Sequence, residues 1–441
     1  MPIPIISHGV TEGLSAIPYA WTVIKVALVV GTVALLKYFF SGARNTSERL
    51  MHSKVVMVTG GTSGIGAAIV HDLASRGAQI ILLTQHAPSD VFLVEYIEDL
   101  RESTNNELIY AEQVDLTSLH SIRTFATKWV DNAPPRRLDM IILCANTLTP
   151  TRGPQRLTPD GLDEEWQVNY LANFHLLSIL SPAIKAQPFD RDVRIIFSTC
   201  SSYMGGTIDL QRTEGALPDT KSTSRSTTKK AKKGSSVQKA KNASSIYGMT
   251  KLSLMVFAQA FQKHLSSYKR PDLQPMNARV IIVDPGFSRT PGTRRWITGG
   301  TLWGLLVYLV TWPVWWLILK SSQQGAQSFL YAAMDGKFGR VDGIGGWLVK
   351  ECREVDYMRK EVKDEKVAKQ LWEFSEQQIQ AKEKEAATKR ALAKKEDEAK
   401  KKQEASNPGV GAGDSSASSS NVTKAQTPGS RRNRKANNTQ N

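Results

Sequence analysis

From Lys54 onward, short runs of branched apolar residues alternate with stretches whose apolar positions recur at helical spacing. VVMVT precedes the helical pattern IGAAIVHDLASRG, AQIILLT precedes VFLVEYIEDLRES, and LIYAEQVDL completes a βαβαβ series. Further along, LDMIILCA, VRIIFST and ARVIIVDPG predict a fourth, fifth and sixth strand. The helices EEWQVNYLANFHLLSIL and YGMTKLSLMVFAQAFQKHL separate them, and GIGGWLV predicts a seventh strand. That order predicts an α/β fold with a doubly wound parallel sheet, in which ligands bind outside the carboxyl ends of the strands.

Two apolar stretches do not fit that alternation. Residues 17–40, IPYAWTVIKVALVVGTVALLKYFF, are long enough at about 1.5 Å per residue to cross a bilayer core of roughly 30 Å. Lys37 can snorkel from the end of this segment, whereas Lys25 weakens its middle. No basic region precedes it as in a cleaved signal peptide. His8 and Glu12 stand before it and Lys37, Arg44, Arg49 and Lys54 after it, so the excess of positive charge predicts a cytosolic main body. The alternative is an amphipathic helix packed on the globular domain.

The second stretch, residues 301–319, is TLWGLLVYLVTWPVWWLIL, uncharged and with four Trp and Pro313. It falls between the sixth and seventh strands, and neighbours in one sheet lie on the same side of a membrane. A kinked or re-entrant hairpin, or a helix lying in the interface with its tryptophans at headgroup depth, is therefore expected rather than a single crossing. A buried substrate-lid helix is the alternative.

The 441 residues, 41% hydrophobic and with 31 Gly, suffice for one core with appendages. The formal charge of +16 is concentrated. Residues 211–243 hold nine Lys or Arg against two acids, and residues 401–441 hold seven against two, so these two polar stretches carry 12 of the 16 net charges. Neither has zinc-finger spacing or an aromatic RNA-binding pattern, so specific nucleic-acid binding is not expected. The three cysteines, Cys144, Cys200 and Cys352, are odd in number and widely spaced, as in a reducing compartment. The expected organisation is a short segment at 1–16, a transmembrane anchor at 17–40 and a catalytic domain at 50–360. Within the last lie a disordered basic insert at 211–243 and a membrane-associated apolar segment at 301–319. A charged helical tail at 361–404 and a disordered basic tail at 405–441 follow.

The chemistry-bearing residues lie at strand ends. TGGTSGIG, residues 59–66, occupies the first strand-to-helix turn, where glycines let backbone approach a pyrophosphate and the helix N-terminus attracts its charge. Tyr247 and Lys251 stand at i and i+4 on one helix face, so a phenol and an ammonium can share a pocket. The ammonium is expected to lower the phenol's pKa and let it exchange a proton with a carbonyl or alcohol oxygen. Asp115 after the third strand, Asn169 in EEWQVNYLANFHLLSIL, and Asp284-Pro285-Gly286 after the sixth strand join them.

In these motifs, from about Lys54 to Asp356 apart from the two inserts, the chain resembles the short-chain dehydrogenase/reductase family, nearest its retinol-dehydrogenase-like branch. Thr59 to Gly66 matches that family's TGxxxGxG, Tyr247 to Lys251 its YxxxK, and Pro285-Gly286 with Thr290 its PG motif. The resemblance implies a Rossmann fold and a catalytic set of Tyr247, Lys251, Asn169 and a serine. Tyr247 would be the acid/base, Lys251 would hold the nicotinamide ribose, and Asn169 would position a helix and a relay water. The cofactor-binding residues would be Thr59, Gly60, Thr62, Ser63, Gly64, Ile65, Gly66, Asp115, Ala145, Asn146, Tyr247, Lys251, Pro285, Gly286 and Thr290. No metal is implied.

Two departures stand out. Where the family has NNAG, this chain reads Leu143-Cys144-Ala145-Asn146. A gapless alignment puts Cys200 on the family's catalytic serine, and a one-residue bulge would bring Ser201 there instead, so Ser201 is the expected residue. A thiol in that place would make turnover slow or absent. Thr84, Gln85 and His86 offer no carboxylate after the second strand, which favours NADP as cofactor and leaves NAD compatible.

The expected protein is a membrane-bound oxidoreductase, at the endoplasmic reticulum with its catalytic domain cytosolic. It would interconvert carbonyl and alcohol on a lipophilic substrate of sterol, retinoid, sphingoid or long-chain acyl type. Membrane lipid and a homodimer are the partners expected besides the substrate. The rival is a non-catalytic nucleotide-binding membrane scaffold.

Overall fold

The computed structural model describes residues 19–150, 156–210, 235–339 and 345–406. The expectations for residues 1–16, for the insert from 211 to 234 and for the tail from 407 lie outside the described residues. The chain divides into two compact units, Met1–Ala386 and Ala387–Asn441. The described part of the second is helical, and the first holds the sheet and the site.

Eight strands form one sheet: β1 (Val55–Thr59), β2 (Gln79–Thr84), β3 (Ile109–Gln113), β4 (Met140–Leu143), β5 (Val193–Ser198), β6 (Ala278–Asp284), β7 (Trp347–Lys350) and β8 (Arg353–Val355). Their order is β3-β2-β1-β4-β5-β6-β7-β8, and every pairing is parallel except β7 with β8. The order reverses between β1 and β4, which opens a crevice at their carboxyl ends.

Alternation along each strand feeds two cores. Val55 and Met57 of β1 join one hydrophobic cluster and Val56 and Val58 the other. α1 (Ala20–Ser41) precedes the sheet and adds no residue to either cluster, while on the second face α2 (Gly64–Ser75) and α3 (Val91–Thr104) bury Ile69, Leu73 and Leu93. On the first face, α4 (Leu119–Val130) and α5 (Ala172–Lys185) pack with α6 (Ser235–Ser266). A helical turn at Glu164–Trp166 and a π-turn at Gln167–Leu171 lead directly into α5.

Because α6 begins at Ser235, residues 235–243 are helical, not part of a disordered insert as expected. They contain no Gly or Pro and continue a helix whose later turns are firmly packed. The catalytic unit also extends beyond residue 360. The helix Glu365–Ser406, α11 here, lays Leu371 and Ile379 into the core, with Trp372 and Phe374 packed against it. Trp166 Nε1 donates to Gln378 Oε1 at 2.9 Å, and the Tyr170 hydroxyl pairs with Ser375 Oγ at 2.8 Å.

Between β6 and β7 come α7 (Pro291–Ile297), α8 (Leu302–Val310), α9 (Trp312–Ile318) and α10 (Ser322–Met334). The apolar stretch is thus broken at Thr311, with Pro313 in the first turn of α9. At 9 and 7 residues, neither α8 nor α9 alone reaches across a hydrocarbon core of roughly 30 Å. Among the described residues, one helix is long and apolar enough to cross a membrane, at Trp21–Ser41.

Phe257 of α6 sits at the centre of the first core, with ring centroids of Phe174, Phe261, Trp372 and Phe197 at 4.9, 5.5, 5.7 and 6.1 Å. Phe257→Ala is expected to lower unfolding free energy by about 3–5 kcal/mol in chemical denaturation. A loss under about 1 kcal/mol would show that this cluster does not hold α6 on the sheet.

Candidate active site

The cleft at the carboxyl ends of β1, β4, β5 and β6 has a volume of about 810 Å³. One end is the glycine turn. Gly60 and Gly64 have φ of +68° and +58°, and a Cβ on Gly60 would lie 2.8 Å from Ala145 Cα. A Cβ on Gly66 would collide with the carbonyl of Gly60. The turn is therefore closed to side chains on the inside and presents backbone N–H groups at the start of α2, whose N-cap Ser63 makes no side-chain cap. From there the cleft passes Thr84, Gln85 and His86, then Asp115, and reaches Tyr247, Pro285 and Thr290. A glycine cradle, an anion-seeking helix end and a cleft of this length together fit a dinucleotide.

Not every expected cofactor residue turns its side chain to the cleft. Thr59 is fully buried, and its Oγ1 accepts from Ala145 N at 3.2 Å, so it ties β1 to the β4 loop. Asp115 Oδ1 accepts from Thr117 N and Oγ1 at 2.8 and 2.7 Å, shaping the turn into α4. Thr290 caps α7 by accepting from Thr293 N at 3.2 Å, and Gly286, at φ +75°, donates its N–H to Asp284 Oδ1 at 2.9 Å.

At the other end stands Tyr247. Asn146 Nδ2 donates to its hydroxyl oxygen at 3.1 Å, and the Cys200 thiol approaches the same oxygen at 3.6 Å. Lys251, buried on the next turn of α6, places Nζ 5.6 Å from the Tyr247 ring centroid and donates to Ser198 O at 3.3 Å. Burial holds this ammonium's pKa below the usual lysine value, against the pull of Cys200, Cys144 and Asp284. The same burial pushes the Cys144 thiol up to about 12.

The expected lowering of the Tyr247 pKa is not found. Desolvation drives the phenol well above its ordinary value, the Cys200 thiol adds to this, and the Asn146 hydrogen bond opposes it. With its pKa raised above the ordinary tyrosine value, the phenol keeps its proton at physiological pH.

The Ser201 expectation also fails. Ser198 stays in register with Val283 and Thr199 N donates to Val283 O at 2.8 Å, so no bulge shifts the strand end. Cys200, extended at φ −156°, turns its thiol to Tyr247. Ser201 also lines the cleft but opens a 3-10 turn, where its Oγ donates to Asp284 Oδ2 at 2.9 Å and accepts from Lys350 Nζ at 3.2 Å. Lys350 also pairs with Asp284 at 3.3 Å, across the register Asp284↔Lys350.

Asn169 lies in the π-turn, fully buried, and its carboxamide brackets one residue: Oδ1 accepts from Thr147 N at 2.7 Å and Nδ2 donates to Thr147 O at 2.8 Å. It thereby positions the loop that holds Asn146 against Tyr247. A neighbour escaped the sequence reading. Glu165 is buried, one carboxylate oxygen accepts from Thr149 N, and Oε2 has no partner. Burial, with smaller contributions from Asp163 and Glu164, raises its pKa from 4.5 to about 7. Two successive acids at a helix start read as ordinary first-turn residues, and nothing in the sequence says which one turns inward.

The short chain dehydrogenase family model matches residues 54–205. An uncharacterized oxidoreductase of Schizosaccharomyces pombe, pbr1, is 41% identical over 88% of this chain and 98% of its own. Mouse retinol dehydrogenase 13 is 28% identical over 79% of this chain and 90% of its own, and human polyprenol dehydrogenase 26% over 73% and 84%. The chain belongs to the short-chain dehydrogenase/reductase family. It is an NAD(P)-dependent oxidoreductase.

Two substitutions test this geometry. A hydroxyl donates a stronger hydrogen bond than a thiol, and one oxyanion donor is worth about 10²–10³ in rate, so Cys200→Ser is expected to raise kcat about tenfold while Ser201→Ala leaves it near wild type. The reverse ranking would put the serine back in the catalytic position. Glu165 keeps its proton in the folded state up to about pH 7 but loses it near 4.5 when unfolded. Stability from this group is therefore intact below 4.5 and falls by about 3 kcal/mol as pH rises to 7. Glu165→Gln is expected to flatten that part of the stability–pH curve; parallel curves for the two proteins would contradict the assignment.

Proposed function

We propose that this oxidoreductase is membrane-anchored and faces the cytosol, and that it reduces the carbonyl of a lipophilic substrate at the expense of NADPH. The observation that carries the reading is the neutral Tyr247 phenol at the inner end of the cleft, flanked by Cys200 and Asn146. Reduction of a carbonyl needs a proton donor at the oxygen, and Tyr247 is one.

When bound, the nicotinamide supplies hydride to the carbonyl carbon. Tyr247 would then protonate the oxygen, with the Cys200 thiol as second donor to it and Asn146 fixing the phenol. Lys251 would hold the nicotinamide ribose and favour the phenolate left after proton transfer. Gly60, Thr62, Ser63, Gly64, Ile65 and Gly66 would cradle the pyrophosphate, with Asp115 near the adenine and Ala145, Pro285, Gly286 and Thr290 along the nicotinamide side.

NADP is favoured because Thr84, Gln85 and His86 line the β2 end of the cleft and none is a carboxylate that would repel a 2′-phosphate. A lipophilic substrate is favoured by the surroundings of the site. Trp296 and Phe287 border the cleft, and α8 exposes Leu302, Trp303, Val307 and Val310 beside it. The relatives named for retinol and polyprenol act on lipophilic alcohols by their names. With α1 as anchor, the cations after it face the cytosol, and the endoplasmic reticulum is the membrane we assign.

The test is consumption of NADPH and of NADH by the purified chain with retinoid, sterol, 3-ketosphingoid and long-chain acyl carbonyls. NADPH-dependent reduction of at least one class is expected, with Tyr247→Phe lowering kcat by about 10²–10⁴. Full turnover by Tyr247→Phe would overturn the assignment of the proton donor, and a preference for NADH would overturn the cofactor choice.

A further inference from the structure

The base of the α7–α9 excursion carries two cations that no carboxylate pairs with among the described residues. Lys37, in the last turns of α1, leans onto α9: its Nζ donates to Trp316 O at 2.6 Å and Leu319 O at 3.4 Å and lies 5.0 Å from the Trp316 ring centroid. Arg289 is pinned through its backbone N–H to Lys320 O at 2.7 Å, and its guanidinium carbon lies 5.7 Å from the Trp312 ring centroid. Its Nη1 is buried and has no hydrogen-bond partner. Lys37 and Arg289 thus sit over tryptophans four residues apart on α9, and among the described residues no salt bridge pairs either with a carboxylate. Glu351, on the adjoining hairpin, is already engaged by Lys320 and by the N–H of Ala43.

On this unit Arg194 is paired with Asp192, Arg137 with Asp139 and Arg270 with Asp272, whereas Arg289 and Arg101 each keep a buried N–H without a partner. A buried Arg N–H without an acceptor costs free energy, and a phosphate oxygen is an acceptor that a guanidinium and an ammonium both attract. The setting specifies which phosphate. Tryptophans favour headgroup depth, and Trp316 and Trp312 each lie against one of the two cations, while Leu36, Tyr38 and Phe39 of α1 and Leu306 and Val310 of α8 are exposed.

We propose that Lys37 and Arg289 together hold the phosphate of an anionic phospholipid, linking the anchor helix to the base of the lid. The proposal rests on the membrane reading above. The guanidinium fork suits a phosphate, and two cations around one headgroup favour a lipid with net negative charge over a zwitterionic one. Ser288 and Thr290, on either side of Arg289, line the cleft, so the bound lipid would fix the rim through which the substrate enters.

The experiment uses the full chain reconstituted in nanodiscs of phosphatidylcholine alone or mixed with phosphatidylserine, followed by mild detergent release and native mass spectrometry of the retained lipid. The wild type is expected to retain one phosphatidylserine, preferred over phosphatidylcholine by about twenty-fivefold. At about fivefold per basic residue, Arg289→Gln and Lys37→Met each reduce that preference to about fivefold. Arg289→Lys, which keeps the charge, is expected to retain most of it, and this separates loss of the site from loss of folding. Equal retention of the two lipids, or a preference unchanged in Arg289→Gln and Lys37→Met, overturns the proposal. Displacement of the lipid by inorganic phosphate also overturns it, as the mark of a free-phosphate site. Failure of the wild type to enter phosphatidylcholine nanodiscs at all would instead overturn the membrane reading, and the headgroup site with it.

Discussion

Strands β6 and β7 are parallel neighbours, and everything between them has to leave the sheet and come back to it on the same side. The chain closes that excursion at its base. Ser288 forms a parallel bridge with Lys320, Arg289 N donates to Lys320 O at 2.7 Å, and Lys320 N donates to Phe287 O at 3.0 Å. The apolar helices α8 and α9 are therefore held on a narrow stalk whose root is also the wall of the cleft. Residues that face the nicotinamide side on our reading, Pro285 to Thr290, and residues that face lipid are separated by a few peptide units. A lid, an anchor contact and a cofactor wall are consequences of one pair of backbone hydrogen bonds.

The chemistry at the other end of the cleft follows from burial. Desolvation disfavours the charged form of both Tyr247 and Lys251: the phenol's pKa rises and the ammonium's falls. A neutral phenol is what carbonyl reduction consumes, and the ammonium favours the phenolate that remains. On the proposed mechanism Cys200, a thiol, would be a weaker second donor to the substrate oxygen than a serine hydroxyl. The hydroxyl that sequence proximity suggested, Ser201, serves a different end by joining Asp284 and Lys350 across β6 and β7.

The fold was legible because alternating strand and helix patterns are local and strong; seven strands and their parallel order can be read from residues 54–350. The eighth was not. Its hairpin turns through Glu351 and Cys352, both at positive φ, in place of the Asn-Gly pair that advertises such a turn. The break of the second apolar stretch was legible from Pro313 and from the strands on either side of it. In the site, Tyr247, Lys251 and Asn169 were found by spacing and resemblance, and the glycine turn by its place between β1 and α2. What the sequence did not show depended on register and burial: that Cys200 rather than Ser201 approaches the Tyr247 hydroxyl, that Lys350 lies opposite Asp284, that Glu165 is buried, and that Asn146 bonds Tyr247. These are long-range facts, set by pairing between segments far apart in sequence, and no local pattern encodes them.

The closure of the excursion is most directly tested by protease protection of tags placed after Asn277, before β6, and after Lys350, behind β7, in sealed membrane vesicles. Since the two strands share one sheet, both tags are predicted to be cleaved from the same side, alongside a tag placed after Ser41. Protection of only one of the two would mean that the α8–α9 stretch crosses the bilayer once, which contradicts the β6–β7 pairing and the account built on it.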